Sequence, residues 1–184
     1  MARIPDLDPA EMSAEQRRIS AEIGGARGGV VRGPFAIWLR LPEIADRANQ
    51  FGNALRVGGK LDRRLFELMI LVIARQWSAQ YEWFAHEDTA RGLGVSDTVI
   101  AAIRAGRKPD FTRADEQVVY DTVIELLESR KLSPIAYARA ESTFGREHLI
   151  ELITAAGFYT MVAMMLNAFD APVPGGVVPL PVLP

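Results

Sequence analysis

Three side chains that can exchange protons lie along one mostly apolar stretch of the chain: Glu67, Glu82 and His86. Glu82 and His86 are four residues apart, so on a helix of about 3.6 residues per turn they share one face and can reach the same ligand. Glu67 lies fifteen residues before Glu82 and returns to within roughly 60° of it if the helix is continuous. A break between them would let a hairpin bring Glu67 closer. The spacing predicts an acid–base site.

Glu67 directly precedes a strongly apolar run, so its carboxylate is expected to be buried. Residues 68–74 are apolar on every side of a helix, which is typical of a buried element. A buried carboxylate must be paired, hydrogen-bonded or protonated. The alternative is that Glu67 belongs to a solvated polar stripe with nearby arginines, and that Glu82 and His86 form an exposed pair one turn apart.

Composition predicts one folded domain over residues 1–184. The chain is 49% hydrophobic and 24% charged, as in an ordinary globular protein with a substantial core. Its formal net charge is −2, and no basic stripe carries interleaved aromatic residues. We therefore expect no nucleic-acid partner.

The absence of cysteine excludes several kinds of chemistry. The chain contains no disulfide, no thiolate metal ligand and no thiol nucleophile. Its two histidines, His86 and His148, do not form an HExxH-like motif. We therefore expect no metal, and we expect His148, at a helix start, to be a surface residue.

Start and stop signals predict helices throughout, with Ser13, Ser78 and Ser96 as N-caps. The predicted helices cover residues 13–23, 34–40, 42–57, 62–91 with a break near 77–78, 96–106, 112–130, 133–144 and 146–169. No segment alternates as a strand does, so the fold class is all-α. The segment 171–184, rich in proline, glycine and valine, is predicted to be extended, as is the segment before the first helix.

The glycine-rich loop and the apolar segments bear on phosphate binding and on the location of the protein. The glycine-rich loop 24–29 follows no strand and lacks a Gly-Lys-Ser/Thr continuation, which argues against a phosphate cradle. The first residues lack a secretory signal pattern, and the apolar stretch 152–166 is shorter than the roughly 20 residues that span a bilayer. We expect a cytoplasmic protein without a membrane partner.

Several segments, taken in chain order, resemble the carboxymuconolactone decarboxylase family, within the superfamily that also holds the alkylhydroperoxidase D-like proteins. They are Arg32-Gly33-Pro34-Phe35, Leu41-Pro42-Glu43, residues 64–67, Tyr81-Glu82-Trp83-Phe84-Ala85-His86 and residues 159–169. The resemblance implies an alkylhydroperoxidase D-like helical fold built around a helical hairpin. It also implies a homotrimer or a hexamer.

The resemblance also separates two activities. In the peroxidase branch, two cysteines precede the histidine by seven and four residues, and here Ala79 and Glu82 occupy those positions before His86. Thiol peroxidase activity is therefore excluded. The decarboxylase branch needs no sulfur, metal or organic cofactor, so the resemblance implies a cofactor-independent decarboxylase of a small carboxylated lactone, such as 4-carboxymuconolactone.

That reaction suggests roles for six residues. Arg32 is the candidate clamp for the substrate carboxylate, with a solvated loop arginine as the alternative. Tyr81 and Trp83 are candidate substrate contacts, although core or interface packing is the alternative for such aromatics. His86 is the candidate proton donor or relay, and Glu67 and Glu82 would orient it or share its proton, one carboxyl being held neutral by burial.

The sequence leaves other choices open. It does not name the lactone, separate a trimer from a hexamer, or say whether subunits share the site or which carboxyl carries the proton. Tyr159 and Asn167 are expected to serve packing or a subunit interface. The apolar helices favour obligate association. The alternative function is a non-catalytic oligomeric protein that binds a small molecule on the same scaffold.

Overall fold

The computed structural model describes residues 2–25 and 29–183, and within them the chain is helical with no strand. The predicted all-α class is confirmed. The helices are α1 (Ala14–Gly25), α2 (Pro34–Trp38), α3 (Pro42–Arg56), α4 (Arg63–Gln76), α5 (Gln80–Gly92), α6 (Asp97–Arg104), α7 (Ala114–Ser129) and α8 (Pro134–Ala168), followed by a 3-10 turn at Pro174–Gly176. Residues 26–28 of the predicted glycine-rich loop lie outside the described residues.

Local signals explain most of these boundaries. The backbone N–H of Ser13 donates to the Gln16 side chain at 2.9 Å, and the N–H of Gln16 donates to Ser13 Oγ at 3.2 Å, which is a capping box. Ser96 Oγ accepts from the N–H of Val99 at the start of α6, as predicted. Gly145 (φ 75°) interrupts α8 where the sequence predicted two helices. These termini are encoded locally.

The prediction for Ser78 is wrong by one residue. The break between α4 and α5 is where the sequence placed it, but Ala79 is the N-cap of α5 and supplies no side-chain cap. Ser78 has a left-handed backbone (φ 49°), and its Oγ accepts from the Arg75 guanidinium at 2.9 Å. Because that hydroxyl already serves the turn, it does not cap the helix that follows.

Two compact units divide the chain, Met1–Gly58 with Met165–Pro172 and Gly59–Met164 with Val173–Pro184. In the first unit α1 and α2 both pack on α3. Its core includes the fully buried Ile23 and the edge-to-face pair of Phe35 and Trp38, with ring centroids 5.4 Å apart. The single domain over residues 1–184 stays a prediction.

Helix α4 forms the centre of the second unit. It packs on α5, α6 and α7, and residues 64–75 are all buried. Asp62 caps it by accepting from the N–H groups of Arg64 and Leu65. A three-residue connection joins α4 to α5, so the two helices form a hairpin at the heart of this unit.

Helix α8 is long and apolar enough to cross a membrane by length and composition alone. Half of its most apolar window is buried inside the molecule. Core helices of soluble proteins meet the same criterion, and the kink at Gly145 divides this one. The absence of a membrane partner stays a prediction.

Candidate active site

The α4–α5 hairpin brings Glu67 and His86 into direct contact. His86 Nδ1 and Glu67 Oε2 are 2.6 Å apart, Glu67 is fully buried and His86 is 8% exposed. The break after Gln76 is what makes this possible, since a continuous helix would hold the two residues five turns apart. Burial rules out the solvated stripe as the environment of Glu67.

The second oxygen of Glu67 pairs with an arginine. Arg63 Nη2 donates to Glu67 Oε1 at 3.2 Å, one helical turn away. Arginine is only a donor, and pairing with its guanidinium favours an ionised carboxylate, which is only an acceptor, so we assign the proton of the short bond to His86 Nδ1. His86 Nε2 is then the ring atom that can exchange a proton with a bound molecule.

Glu82 is a separate buried carboxyl in the first turn of α5 and is 1% exposed. In the part of the chain that the structure describes, neither of its carboxyl oxygens has a hydrogen-bond partner, so it does not bond to His86 although both lie on one face. Burial raises the pKa of the Glu82 carboxyl well above its ordinary value because the charged form is desolvated. These features favour Glu82 as the carboxyl that carries a proton.

A cluster of aromatic rings, here called the aromatic wall and formed by Phe66, Phe158 and Tyr159, packs against the His86 imidazole. The rings of Tyr159 and His86 meet edge to face, with centroids 5.5 Å apart. Tyr159 makes the same kind of contact with Phe66 at 5.6 Å and with Phe158 at 5.5 Å. The wall restricts rotation of the ring that Glu67 orients.

The two predicted aromatic contacts differ in environment. Trp83 is fully buried, donates its indole N–H to Glu87 Oε2 at 2.7 Å, and lies beneath the Arg104 guanidinium at 5.6 Å from the ring centroid. Its position matches the core alternative that the sequence left open. Tyr81 is half-buried in the first turn of α5. Substrate contact by either residue stays a prediction.

The other singled-out residues lie elsewhere. Arg32 is exposed, precedes α2 and belongs to the first unit, so its role as a carboxylate clamp stays a prediction. His148 is partly buried in α8, with Nδ1 2.9 Å from the Phe144 carbonyl oxygen. Asn167 is exposed near the end of α8.

One cavity of the second unit lies away from the Glu67–His86 pair. A cavity of about 230 Å³ lies between α7 and the start of α8, and its charged side chains Asp121 and Arg139 form an ion pair at 3.1 Å. Over residues 2–25 and 29–183, no three His, Asp or Glu side chains cluster as metal ligands would. The expectation of no metal stays a prediction.

Sequence reasoning missed two members of the site. Arg63 was visible as an arginine four residues before a glutamate, which is the spacing of a helical ion pair. Tyr159 lies 73 residues from His86, and no local signal joins them. Only the packing of α8 places its ring on the imidazole.

Comparisons with known proteins agree with this helical fold. Residues 42–116 match the model of the carboxymuconolactone decarboxylase family. No curated protein matches the chain. An uncharacterized peroxidase-related protein from Ralstonia eutropha JMP134, described as an alkylhydroperoxidase AhpD core, has a TM-score of 0.77 and 14% identity, with 98% of each chain covered.

Two further solved structures share the architecture. An uncharacterized peroxidase-related protein from Silicibacter sp. TM1040 has a TM-score of 0.74 and 17% identity, covering 92% of this chain and 90% of that one. The debrominase Bmp8, a variant of which is in complex with 2,3,4-tribromopyrrole, has a TM-score of 0.68 and 10% identity, covering 95% and 91%. The resemblance predicted from the sequence is confirmed: over residues 42–116 the chain carries the carboxymuconolactone decarboxylase family pattern, on an alkylhydroperoxidase AhpD-like helical fold and without cysteine.

Proposed function

We propose that the chain is a cofactor-independent decarboxylase of a small carboxylated lactone such as 4-carboxymuconolactone. The observation that carries this proposal is the buried Glu67–His86 pair, joined at 2.6 Å, with a second buried carboxyl, Glu82, one turn before His86. Such a set can hold and move protons without a thiol, and the chain has no cysteine. The family match over residues 42–116 supports the same reaction class.

The reaction places three demands on the protein. The bond between the ring carbon and the carboxylate breaks and CO2 leaves, while the electron pair delocalises into the unsaturated lactone as an enolate. A proton then adds to the ring carbon, so each substrate molecule takes up one proton and releases one CO2. The site must orient the carboxylate, stabilise the enolate oxygen and deliver that proton.

His86 supplies the proton in this proposal. In the imidazolium form, Nδ1–H stays bonded to Glu67 while Nε2–H is transferred to the ring carbon, and Nε2 is reprotonated from solvent after product release. Glu67 acts as a positioning residue, because it fixes the ring orientation and stabilises the imidazolium. The Tyr159 ring limits the alternative rotamers of His86.

The remaining assignments concern substrate binding. Arg32 pairs with the substrate carboxylate, and Tyr81 donates to the lactone oxygen where negative charge develops. Protonated Glu82 is a second candidate donor for that oxygen, since its carboxyl is buried and has no hydrogen-bond partner among the described residues. Trp83, on the same helix as Glu82 and His86, is the remaining candidate contact with the substrate.

We also propose a homotrimer or hexamer in the cytoplasm. Five exposed positions of α8 follow a spacing of three and four residues, which marks one helical face: Ile150, Ile153, Gly157, Met161 and Met164. An apolar face of this kind is suited to burial against another copy of the chain. Sedimentation showing a stable monomer would contradict the assembly.

The direct test is an assay of CO2 release from 4-carboxymuconolactone. Turnover by the wild type that is lost in His86→Ala supports the proposal. His148→Ala is the matched control, because it removes the only other histidine and lies in α8. Full activity of His86→Ala would overturn the assignment of the donor.

The alternative function is a non-catalytic protein that binds a small molecule on the same scaffold. A solved structure of this fold is a complex with 2,3,4-tribromopyrrole, which supports a pocket for a small flat ring. Absence of turnover by the wild type, together with recovery of a bound lactone in unchanged form, would favour this alternative.

A further inference from the structure

The segment 177–183, here called the strap, contacts both sides of the α4–α5 turn, and one glutamine side chain binds it through two hydrogen bonds. Gln80 Nε2 donates to the Leu180 carbonyl oxygen at 2.9 Å, and the Leu180 N–H donates to Gln80 Oε1 at 2.9 Å. A residue in a β-sheet exchanges two hydrogen bonds with its neighbour in the same way. Gln80 therefore recognises the backbone of an extended segment.

The sequence of the strap makes this contact specific. Leu180 lies between Pro179 and Pro181, which have no backbone N–H, so its N–H is the single backbone donor of these three residues. The Pro181 carbonyl oxygen accepts from Arg75 Nη1 at 2.9 Å. The strap cannot pair with itself at this point and depends on α4 and α5.

Two leucines of the strap contact the rest of the second unit. Leu180 is fully buried, whereas Val178 and Val182 are mostly exposed. Leu183 lies so close to Gly106 that a Cβ there would be 2.7 Å from the leucine side chain. Leu180 is thus the buried anchor and Leu183, 41% exposed, is a surface contact; one buried side chain combined with backbone recognition is a way in which proteins bind extended peptides.

The strap contacts the start of α5, which has no side-chain cap. The N-cap of α5, Ala79, offers no side-chain acceptor, and Ser78 before it has a left-handed backbone that is unfavourable for serine. Arg75 bonds both to Ser78 Oγ and to the strap, and Gln80 is the first residue of α5. Glu82 follows within the same turn of the helix.

We propose that the strap fixes the start of α5, and that Gln80 is a positioning residue which, through the strap, sets where Glu82 and His86 lie relative to Glu67. The contact is a built-in means of regulation, since release of the strap frees the α4–α5 turn without altering any proton-handling group. The link to catalysis rests on the proposed function, whereas the link to helix position does not.

Hydrogen exchange on the full chain tests whether the strap fixes the position of α5. Gln80→Ala should speed exchange by at least about tenfold in peptides covering 177–183 and 80–86, because two hydrogen bonds are lost and a tenfold factor corresponds to roughly one net bond. Leu180→Ser should do the same from the strap side. Peptides covering 64–74 should not change.

Gln76→Ala is the matched control, because Gln76 is an exposed glutamine at the end of α4. A slow Leu180 amide in Gln80→Ala would show that the contact does not hold the strap. A released strap with unchanged exchange over 80–86 would show that it does not position α5. Either result overturns the proposal, and Leu180→Ser keeps the test available if Gln80→Ala fails to fold.

A kinetic measurement tests the link to catalysis. Gln80→Ala should lower kcat about tenfold or more with little change in KM, and should shift the limb of the pH profile that reports the donor. A wild type without turnover would defeat the proposed function while the exchange result still stands. Unchanged kcat and pH profile in a variant whose α5 exchanges faster would defeat only the catalytic link.

Discussion

The Nδ1 atom of His86 lies 2.6 Å from Glu67 Oε2, which joins α5 to α4 across a turn of three residues. Both residues are buried, and Arg63 occupies the other oxygen of the carboxylate. With an ionised carboxylate, the proton assigned to the ring Nδ1 is donated to Glu67. The proposed chemistry depends on that direction, because it leaves Nε2 for the substrate.

Replacing Glu67 by glutamine should disrupt this orientation. Glutamine replaces one of the two acceptor oxygens with an NH2 group. That NH2 group would face the N–H of either Arg63 or His86, and two donors cannot form a hydrogen bond. We expect kcat to fall about 10- to 100-fold, as when a hydrogen-bond partner that orients a histidine is removed. The free energy of unfolding should fall by about 1–3 kcal/mol. Nitrogen NMR of the His86 ring should show a mixed tautomer.

Asp88→Asn is the control for this exchange. It makes the same chemical change on α5 at a carboxylate whose side chain is 94% exposed. We expect activity and the His86 tautomer to stay at wild-type values. A Glu67→Gln protein with normal kcat and an unchanged tautomer would contradict the assigned role of the pair.

Replacing Glu82 by methionine should stabilise the protein and reduce its activity. The carboxyl is 1% exposed and has no hydrogen-bond partner among the described residues, so an apolar side chain of similar size removes a desolvation cost of about 1–3 kcal/mol. Thermal and urea unfolding would measure the gain. A loss of stability would show that Glu82 has a partner in solution.

The pH dependence of the free energy of unfolding should also report the buried Glu82 carboxyl. Burial raises the pKa of Glu82 in the folded state, so above the unfolded value of about 4.3 the folded chain binds more protons than the unfolded chain. The contribution of Glu82 is therefore most favourable below that value and is lost as the pH rises towards the folded pKa. The advantage of Glu82→Met over wild type should grow as the pH rises above the unfolded pKa towards the raised pKa of the folded state. An advantage independent of pH would contradict the buried neutral carboxyl.

The sequence predicted the helices and the proton-handling residues for local reasons. Capping at Ser13 and Ser96 and the break at Gly145 depend on neighbours within a few residues. The apolar residues 68–74 after Glu67 likewise predict a buried run, and the structure buries all of them. Such patterns involve residues close together in the sequence, so they can be identified without the structure.

Contacts between distant residues were not predictable in this way. Serine is a common N-cap, but the hydroxyl of Ser78 is taken by Arg75, and the turn it forms shifts the cap to Ala79. The contact of Tyr159 with His86 depends on how α8 packs against the hairpin. Arg75 is only three residues from Ser78 but is itself bound by the distant Pro181 carbonyl oxygen, so both outcomes involve tertiary contacts, which override local preference.

The buried ion-pair cluster between α4 and α7 should matter for stability alone. Arg64 donates to Glu116 and, at 2.6 Å, to Asp115, and its side chain is 9% exposed. Arg64→Met leaves the buried Glu116 without its arginine, whereas Asp115 keeps Arg113 at 3.5 Å, and the change should cost about 3–5 kcal/mol in urea unfolding. The His86 tautomer should not change.

Arg18→Met provides the comparison for this substitution. Arg18 and Glu22 form an exposed pair on α1, and such pairs contribute about 0–1 kcal/mol. An equal effect of the two substitutions would contradict the structural importance of the buried cluster.

Arg32→Met tests whether the exposed arginine before α2 binds the substrate carboxylate. A guanidinium that grips a carboxylate in two hydrogen bonds stabilises ground state and transition state alike, so KM should rise roughly 10- to 100-fold with kcat little changed. The substrate and the decarboxylated product differ by the group that Arg32 is proposed to bind. Calorimetric binding of the product lactone should therefore be the same in wild type and variant, whereas binding of the carboxylated lactone should weaken. Equal weakening for both ligands would assign Arg32 to the structure of its loop instead.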